Sequence, residues 1–303
     1  MSAVFASLLP VFLLIALGFA LKHWRVVPED LWRGIELLGY WAFLPSLIIL
    51  TMIKADLRAI DVSAVSLTMV AVFVSMSVLL ITTRRPLSHV LDMTPAAFTS
   101  LYQSSVRWNS FIALPIAIEL YGETGAATVA IIMAWLVPLS NGTAVAVLAR
   151  FAAGDEQPGA GRIFYIVFRN PFIWATFAGM AINLMGLALY QPILATLDLL
   201  GGAAIASGLL MVGAGLRLRD TLPPNRAAIA GTATKLIGMP LLVLAWSSVF
   251  GLSGTTFTVA IICAAVPTAM NGYLLARQMG GDAPLQAATT TLQIIISFVS
   301  IPA

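Results

Sequence analysis

Long apolar runs separated by short polar breaks fill the chain. A membrane-spanning helix needs roughly 20 apolar residues. Ten stretches reach about that length: 3–21, 31–53, 64–83, 95–121, 125–149, 171–190, 192–216, 227–250, 255–278 and 284–302. Turn formers such as Pro28, Gly122 and the run Gly251-Leu252-Ser253-Gly254 stand between several of them. The longest connection, 150–170, carries the polar run Gly154-Asp155-Glu156-Gln157-Pro158-Gly159, and after it Arg162–Phe168 is expected to lie along the membrane surface. No linker is long enough to separate soluble domains. The fold class is therefore all-α and polytopic, with ten transmembrane helices.

Two spans are interrupted. The fourth holds Arg107-Trp108-Asn109 with Pro115 following, and the ninth holds Pro267 with Asn271 following. Proline removes a backbone donor and clashes with the preceding turn. Opened backbone at membrane depth is tolerated where it faces protein or a water-filled cavity. Two such breaks in corresponding halves of a chain point to a transporter's binding site.

The halves echo each other. Pro10 and Gly18 recur as Pro171 and Gly179 at an offset of 161; Glu36-Leu37-Leu38-Gly39 recurs as Asp198-Leu199-Leu200-Gly201 at 162; Gly122-Glu123 recurs as Gly281-Asp282 at 159. Each half has five spans, an odd number, so the second repeat is expected to be inverted. The division is 1–149 for the first repeat, 150–170 for a cytoplasmic connection and 171–303 for the second repeat.

Composition agrees with this pattern. The chain is 60% hydrophobic and 10% charged, against about 25% charged in soluble domains. Its net charge of +3 is small, and topology accounts for the basic residues without a nucleic-acid partner. Connections 1–2, 3–4, 5–6, 7–8 and 9–10 carry 12 of the 16 Lys and Arg; the other side carries Lys54 and Arg58, and Arg107 and Lys235 lie within spans. By the positive-inside rule both termini face outside the cytoplasm. The protein is expected in the cell inner (plasma) membrane, surrounded by lipid. The N-terminus lacks a basic region, so the first span reads as retained. Cys263 is alone in an apolar run and reads as a small buried hydrophobe.

The candidate chemistry is sparse. Arg107 lies ~12 residues into its span, or ~18 Å deep, and Lys235 ~8 residues, or roughly 12 Å. Intramembrane cations face a cavity or a partner. They are read either as structural, in a buried ion pair or held by carbonyls, or as attracting an anion. Asn109 and Asn271 beside the breaks can repair freed backbone, bind substrate, or do both. Half-helix N-termini aimed at mid-membrane would favour a carboxylate. Gln103, Ser104, Ser105, Asn141, Thr143, Thr289, Thr290, Thr291 and Gln293 read as inter-helix hydrogen bonding, and Pro45 as a kink. No metal spacing, Walker loop, nucleophile elbow or clustered Asp motif is present, so no cofactor and no enzyme activity are expected. A membrane enzyme or receptor is the remote alternative.

The motifs FLPSL (43–47), NSFIALP (109–115) with YGE (121–123), RNP (169–171), KLIGMP (235–240) and AVPTAMNGYLLARQMGGD (265–282) resemble the auxin efflux carrier family, in its bacterial branch of small permeases, essentially end to end. That family is similar in fold to bile-acid-type carriers. The resemblance implies two inverted five-helix repeats with crossed, broken helices 4 and 9. It implies a scaffold of helices 1, 2, 6 and 7 that forms a homodimer, and an elevator-like transport domain of helices 3–5 and 8–10. Asn109, Pro115, Pro267 and Asn271 would line the crossover, and the substrate would be a small organic anion such as malonate or malate. Sodium-coupled symport of the bile-acid-carrier type is the alternative, with Asn109, Asn271 and Gln293 as oxygen donors. Ser207 stands where the family has a proline, and Arg107 is not general to the family.

Overall fold

The computed structural model describes residues 2–54, 60–152, 161, 171–221, 224–269 and 271–301. The expected surface segment Arg162–Phe168 lies outside them. Among the described residues every regular element is a helix and no strand is present. The helices are α1 (Ser2–His23), α2 (Glu29–Leu38), α3 (Leu44–Lys54), α4 (Val62–Thr82), α5 (Arg84–Val90), α6 (Pro95–Val106), α7 (Ser110–Phe151), α8 (Pro171–Leu184), α9 (Gln191–Ala214), α10 (Leu218–Thr221), α11 (Arg226–Ala233), α12 (Met239–Phe250), α13 (Gly254–Ala265), α14 (Asn271–Gln278) and α15 (Ala283–Ser300).

Their ends follow from local sequence. Asp61, Thr94, Asn225 and Asp282 each accept a hydrogen bond from the backbone N–H three residues on, capping α4, α6, α11 and α15. Gly251 ends α12 in the left-handed conformation at φ 72°. Within α7, Gly122 at φ 55° and ψ −139° divides two helical segments, at the turn the sequence predicts.

Among the described residues, five helical segments are long and apolar enough to cross a membrane: Asp30–Lys54, Val62–Thr82, Pro95–Phe151, Gln191–Ala214 and Arg226–Phe250; Leu9–His23 and Gly254–Ala265 are shorter apolar helices. Large apolar side chains stand exposed along them, among them Leu13, Leu67, Val78, Leu199 and Leu241. Soluble monomers rarely leave contiguous apolar surface of this extent bare, whereas lipid covers it.

Two helices carry one wide π-turn each, Gly39–Phe43 between α2 and α3 and Thr234–Gly238 between α11 and α12. Each begins six residues before a proline, Pro45 and Pro240. A proline has no N–H for the carbonyl four residues back. The wide turn takes up the defect: Leu44 N–H reaches Gly39 O, and Met239 N–H reaches Thr234 O.

The helices pack as two groups. In one, α1 lies on α9, α3 on α8, and α9 on α3. In the other, α4 lies on α12, and α6, α11 and α15 pack together. The long α7 touches both. The first group is closed by glycines. A Cβ on Gly18 would stand 2.0 Å from the carbonyl oxygen of Leu210, and one on Gly179 would stand 2.9 Å from that of Ile49. Both Gly18 and Gly179 thus stand at close helix contacts, α1 against α9 and α8 against α3.

Candidate functional site

Helix α6 stops at Val106. Arg107 takes extended backbone, φ −77° and ψ 157°, and its N–H closes the helix on Gln103 O. Asn109 is also extended, and its side-chain oxygen accepts from Phe111 N–H at 3.1 Å while its carbonyl accepts from Ala113 N–H at 3.0 Å. Asn109 therefore caps α7, and it is the cap that ends the break at residue 109. Pro115 lies six positions into α7, inside regular helix. The sequence pattern associates the break with Pro115; the structure corrects this, because a cap at 109 restarts the helix before the proline is reached.

The second break runs between α13 and α14. Val266 is extended at φ −65° and ψ 149°, and Pro267 is buried within the non-helical stretch. Asn271 opens α14, and its side chain lies outside the described residues. Gln293 of α15 clasps the crossover. Its oxygen accepts from Thr268 N–H at 2.8 Å, and its amide nitrogen donates to Ser104 O at 3.0 Å and Gly231 O at 3.2 Å. One side chain thus satisfies backbone freed at both breaks, an inter-helix bonding role of the kind the sequence suggests.

Arg107 is buried, 5% exposed. Its Nη2 donates to Asn141 Oδ1 at 2.8 Å. This acceptor is a neutral amide, so the bond orients the guanidinium fork and leaves its charge in place. Tyr40, carried on the first π-turn, lines the same cavity as Arg107. Tyr40 is in turn packed edge-on against Phe172 at 4.9 Å.

These residues surround a cavity of about 220 Å³. One wall comes from α2, its π-turn, α3 and α8, including Glu36, Tyr40 and Phe172. The other comes from the first break and the start of α7, with Asn141 and Ala269 of the second break. The cavity thus lies between the two packed groups and touches both broken helices. Arg107 and Asn109 meet there, as sequence reasoning anticipates. Lys235 does not line it. It lies in the second π-turn, fully buried, and its Nζ has no hydrogen-bond partner among the described residues. Glu36, Tyr40 and Phe172 escaped sequence reasoning as site residues. The hint available was the kink at Pro45, which marks an irregular turn of the kind often found at functional sites.

A buried cation at a helix break, facing a cavity between two packed groups of helices, is an arrangement that membrane transport proteins use. Residues 165–303 match the family described as membrane transport protein. The chain is 26% identical over 302 residues to an "Uncharacterized transporter" of Methanothermobacter thermautotrophicus, covering 98% of this chain and 95% of that protein. It is 27% identical over 192 residues to a "Putative malonate transporter" of Rhizobium meliloti, covering 61% of this chain and 59% of that one. In its second half the chain is thus similar to the membrane transport protein family, and along almost its whole length to a transporter.

Proposed function

We propose that the protein is a secondary transporter that moves a small organic anion, a mono- or dicarboxylate, across the inner membrane by elevator-like alternating access. The observation that carries this reading is Arg107, a buried guanidinium that donates to Asn141 and lines a cavity at the crossover. A planar fork holds a carboxylate by two parallel hydrogen bonds. The malonate named for one relative is a carboxylate of this kind.

In this reading the helices form ten spans in two inverted repeats. The echo of Gly18 in Gly179 supports the repeat, each being a close approach between equivalent helices. The α1, α2–α3, α8 and α9 group is the scaffold, which dimerises, and the group containing α4, α6 and α11–α15 is the moving body with most of α7. Both termini face outside the cytoplasm, and the cavity, with Arg33 at its edge, opens inward. Thermal-shift screening of the purified protein against a carboxylate panel tests the function. A bound carboxylate raises the melting temperature by mass action; a panel without effect contradicts the reading.

Sodium-coupled symport is the second reading, and one observation favours it. On α6, α11 and α15, which pack together beside the crossover, Gln103 Oε1, Thr232 Oγ1 and Gln286 Oε1 are buried without hydrogen-bond partners among the described residues. Oxygens of this kind suit a hard cation. Carboxylate binding that strengthens when sodium replaces choline supports this reading, and binding indifferent to the exchange excludes it.

A further inference from the structure

Lys235 lies inside Arg226–Phe250, a segment long and apolar enough to cross a membrane, and away from the cavity. It is 0% exposed, and its Nζ has no hydrogen-bond partner among the described residues. Its π-turn, Thr234–Gly238, packs against α6, α11, α12 and α13, and Met76 of α4 stands 3.1 Å from where a Cβ on Gly238 would lie. None of these helices carries an Asp or Glu. Their titratable and charged groups are the buried Cys263 thiol on α13, the Tyr102 phenol on α6, which donates to Ser77 at 3.0 Å, and Arg226 at the exposed start of α11; Arg107 directly follows α6. The backbone beside the amine is short of partners as well. Met239 N–H goes to Thr234 O, and Pro240 has no N–H. Those are the two donors that serve the Lys235 carbonyl in an α-turn or a π-turn. An amine and a carbonyl freed at one residue give a water molecule two polar partners. The π-turn also touches both helices that run into the breaks: α6, which ends before Arg107, and α13, which ends at Val266.

We infer that Lys235 is a proton-binding site, and that the protein carries one proton on this amine together with each anion. The inference rests on the organic-anion reading above and assigns its coupling ion. A dry site with no acceptor, and with no carboxylate on the helices packed around it, favours the uncharged amine. An anion arriving in the cavity favours the charged one, because opposite charges attract strongly across an interior that water screens poorly. The amine then takes a proton from hydronium: one N–H bond forms at the Nζ lone pair, and one O–H bond breaks to leave water. Release of the anion on the far side removes the attraction, and the amine returns its proton to water there. Lys235 belongs to the helix group read above as the moving body, so proton and anion travel in the same direction. Intramembrane ionisable residues of transporters serve as proton relays in this way.

The test places the purified full-length protein in sodium-free vesicles of phosphatidylcholine and phosphatidylglycerol, with the membrane potential held at zero, and follows labelled malonate, succinate and acetate. Counterflow exchange at equal pH reads transport alone. Accumulation under an acid-outside gradient of about one pH unit reads coupling. The parent is expected to accumulate an exchanged probe toward about tenfold, the limit for one proton per anion. Lys235→Met fills the same space without a proton site, and replacing a buried charge by a packed apolar side chain is often neutral or stabilising. It should fold and still exchange, with no accumulation under acid. Lys235→Arg keeps a charge that cannot be lost, and it should also fail to accumulate. Acid-driven accumulation that survives in either variant, or that is missing from an exchanging parent, would overturn the inference and leave the organic-anion reading intact. So would a Lys235→Met protein that does not fold, since a neutral amine leaves the fold no charge to need. A parent that exchanges none of the three probes would overturn both.

Discussion

Arg107 sits on extended backbone between two helices, and its direction is set by Asn141 from the second segment of α7. If that amide orients the fork, Asn141→Leu keeps the charge and loses the aim, and carboxylate affinity should fall by about 5- to 30-fold. Arg107→Lys keeps the charge and loses the planar fork, so binding should weaken without loss of folding. Isothermal titration of the folded variants checks both; undiminished affinity in Asn141→Leu would make the amide incidental. Depth and chemistry made Arg107 and Asn109 legible in the sequence, because a charge and a break inside an apolar run both demand a polar setting. Lys235 was legible as a deep cation, but its separation from the cavity depends on how helices pack, which spacing along one chain does not encode. For the same reason Tyr40 and Phe172 remained hidden: they reach the site only when α2, α3 and α8 are assembled.

At the scale of elements, glycine contacts determine how closely the first helix group packs. A Cβ on Gly213 would lie 1.8 Å from the backbone oxygen of Ile15, so Gly213→Val must push α9 off α1. Overpacking typically costs about 1–3 kcal/mol, and rigid backbone gives little relief, so the melting temperature should fall. Gly202 on the same helix faces open space, with no atom within 4 Å of where a Cβ would stand, and Gly202→Ala should be neutral or stabilise by about 0.5–1 kcal/mol. Comparing the two melting temperatures separates steric contact from helix propensity; equal shifts would refute the packing argument. Asp282 caps α15 through Leu285 N–H, and Asp282→Ala should cost about 1 kcal/mol of stability. The all-helical character and turns such as those at Gly122 and Gly251 were legible in the sequence, because apolar length and turn residues are local properties. The sequence pattern associated the first break with Pro115, since proline is the louder marker; the Asn109 cap is the quieter one and decides where the helix resumes.

For the molecule as a whole, the proposed elevator-like transport requires two bodies that slide with the substrate between them. The cavity already takes one wall from each group. A cytoplasm-only reporter fused near Gly154 should be active and one fused at the C-terminus silent, given the 12-to-2 distribution of basic residues; the reverse pattern would invert the topology. Inward- and outward-open structures should show the two breaks displaced along the membrane normal relative to α3 and α9, and breaks fixed in depth would rule out an elevator. Whether Arg107 holds a carboxylate is tested by binding of a carboxylate that stabilises the parent, compared with its binding to folded, monodisperse Arg107→Ala. Removing the fork forfeits a charge-assisted hydrogen bond worth about 1.5–3 kcal/mol, so affinity should fall roughly 10- to 150-fold. An Arg107→Ala protein that binds the carboxylate as tightly as the parent would contradict the account and make Arg107 a structural residue.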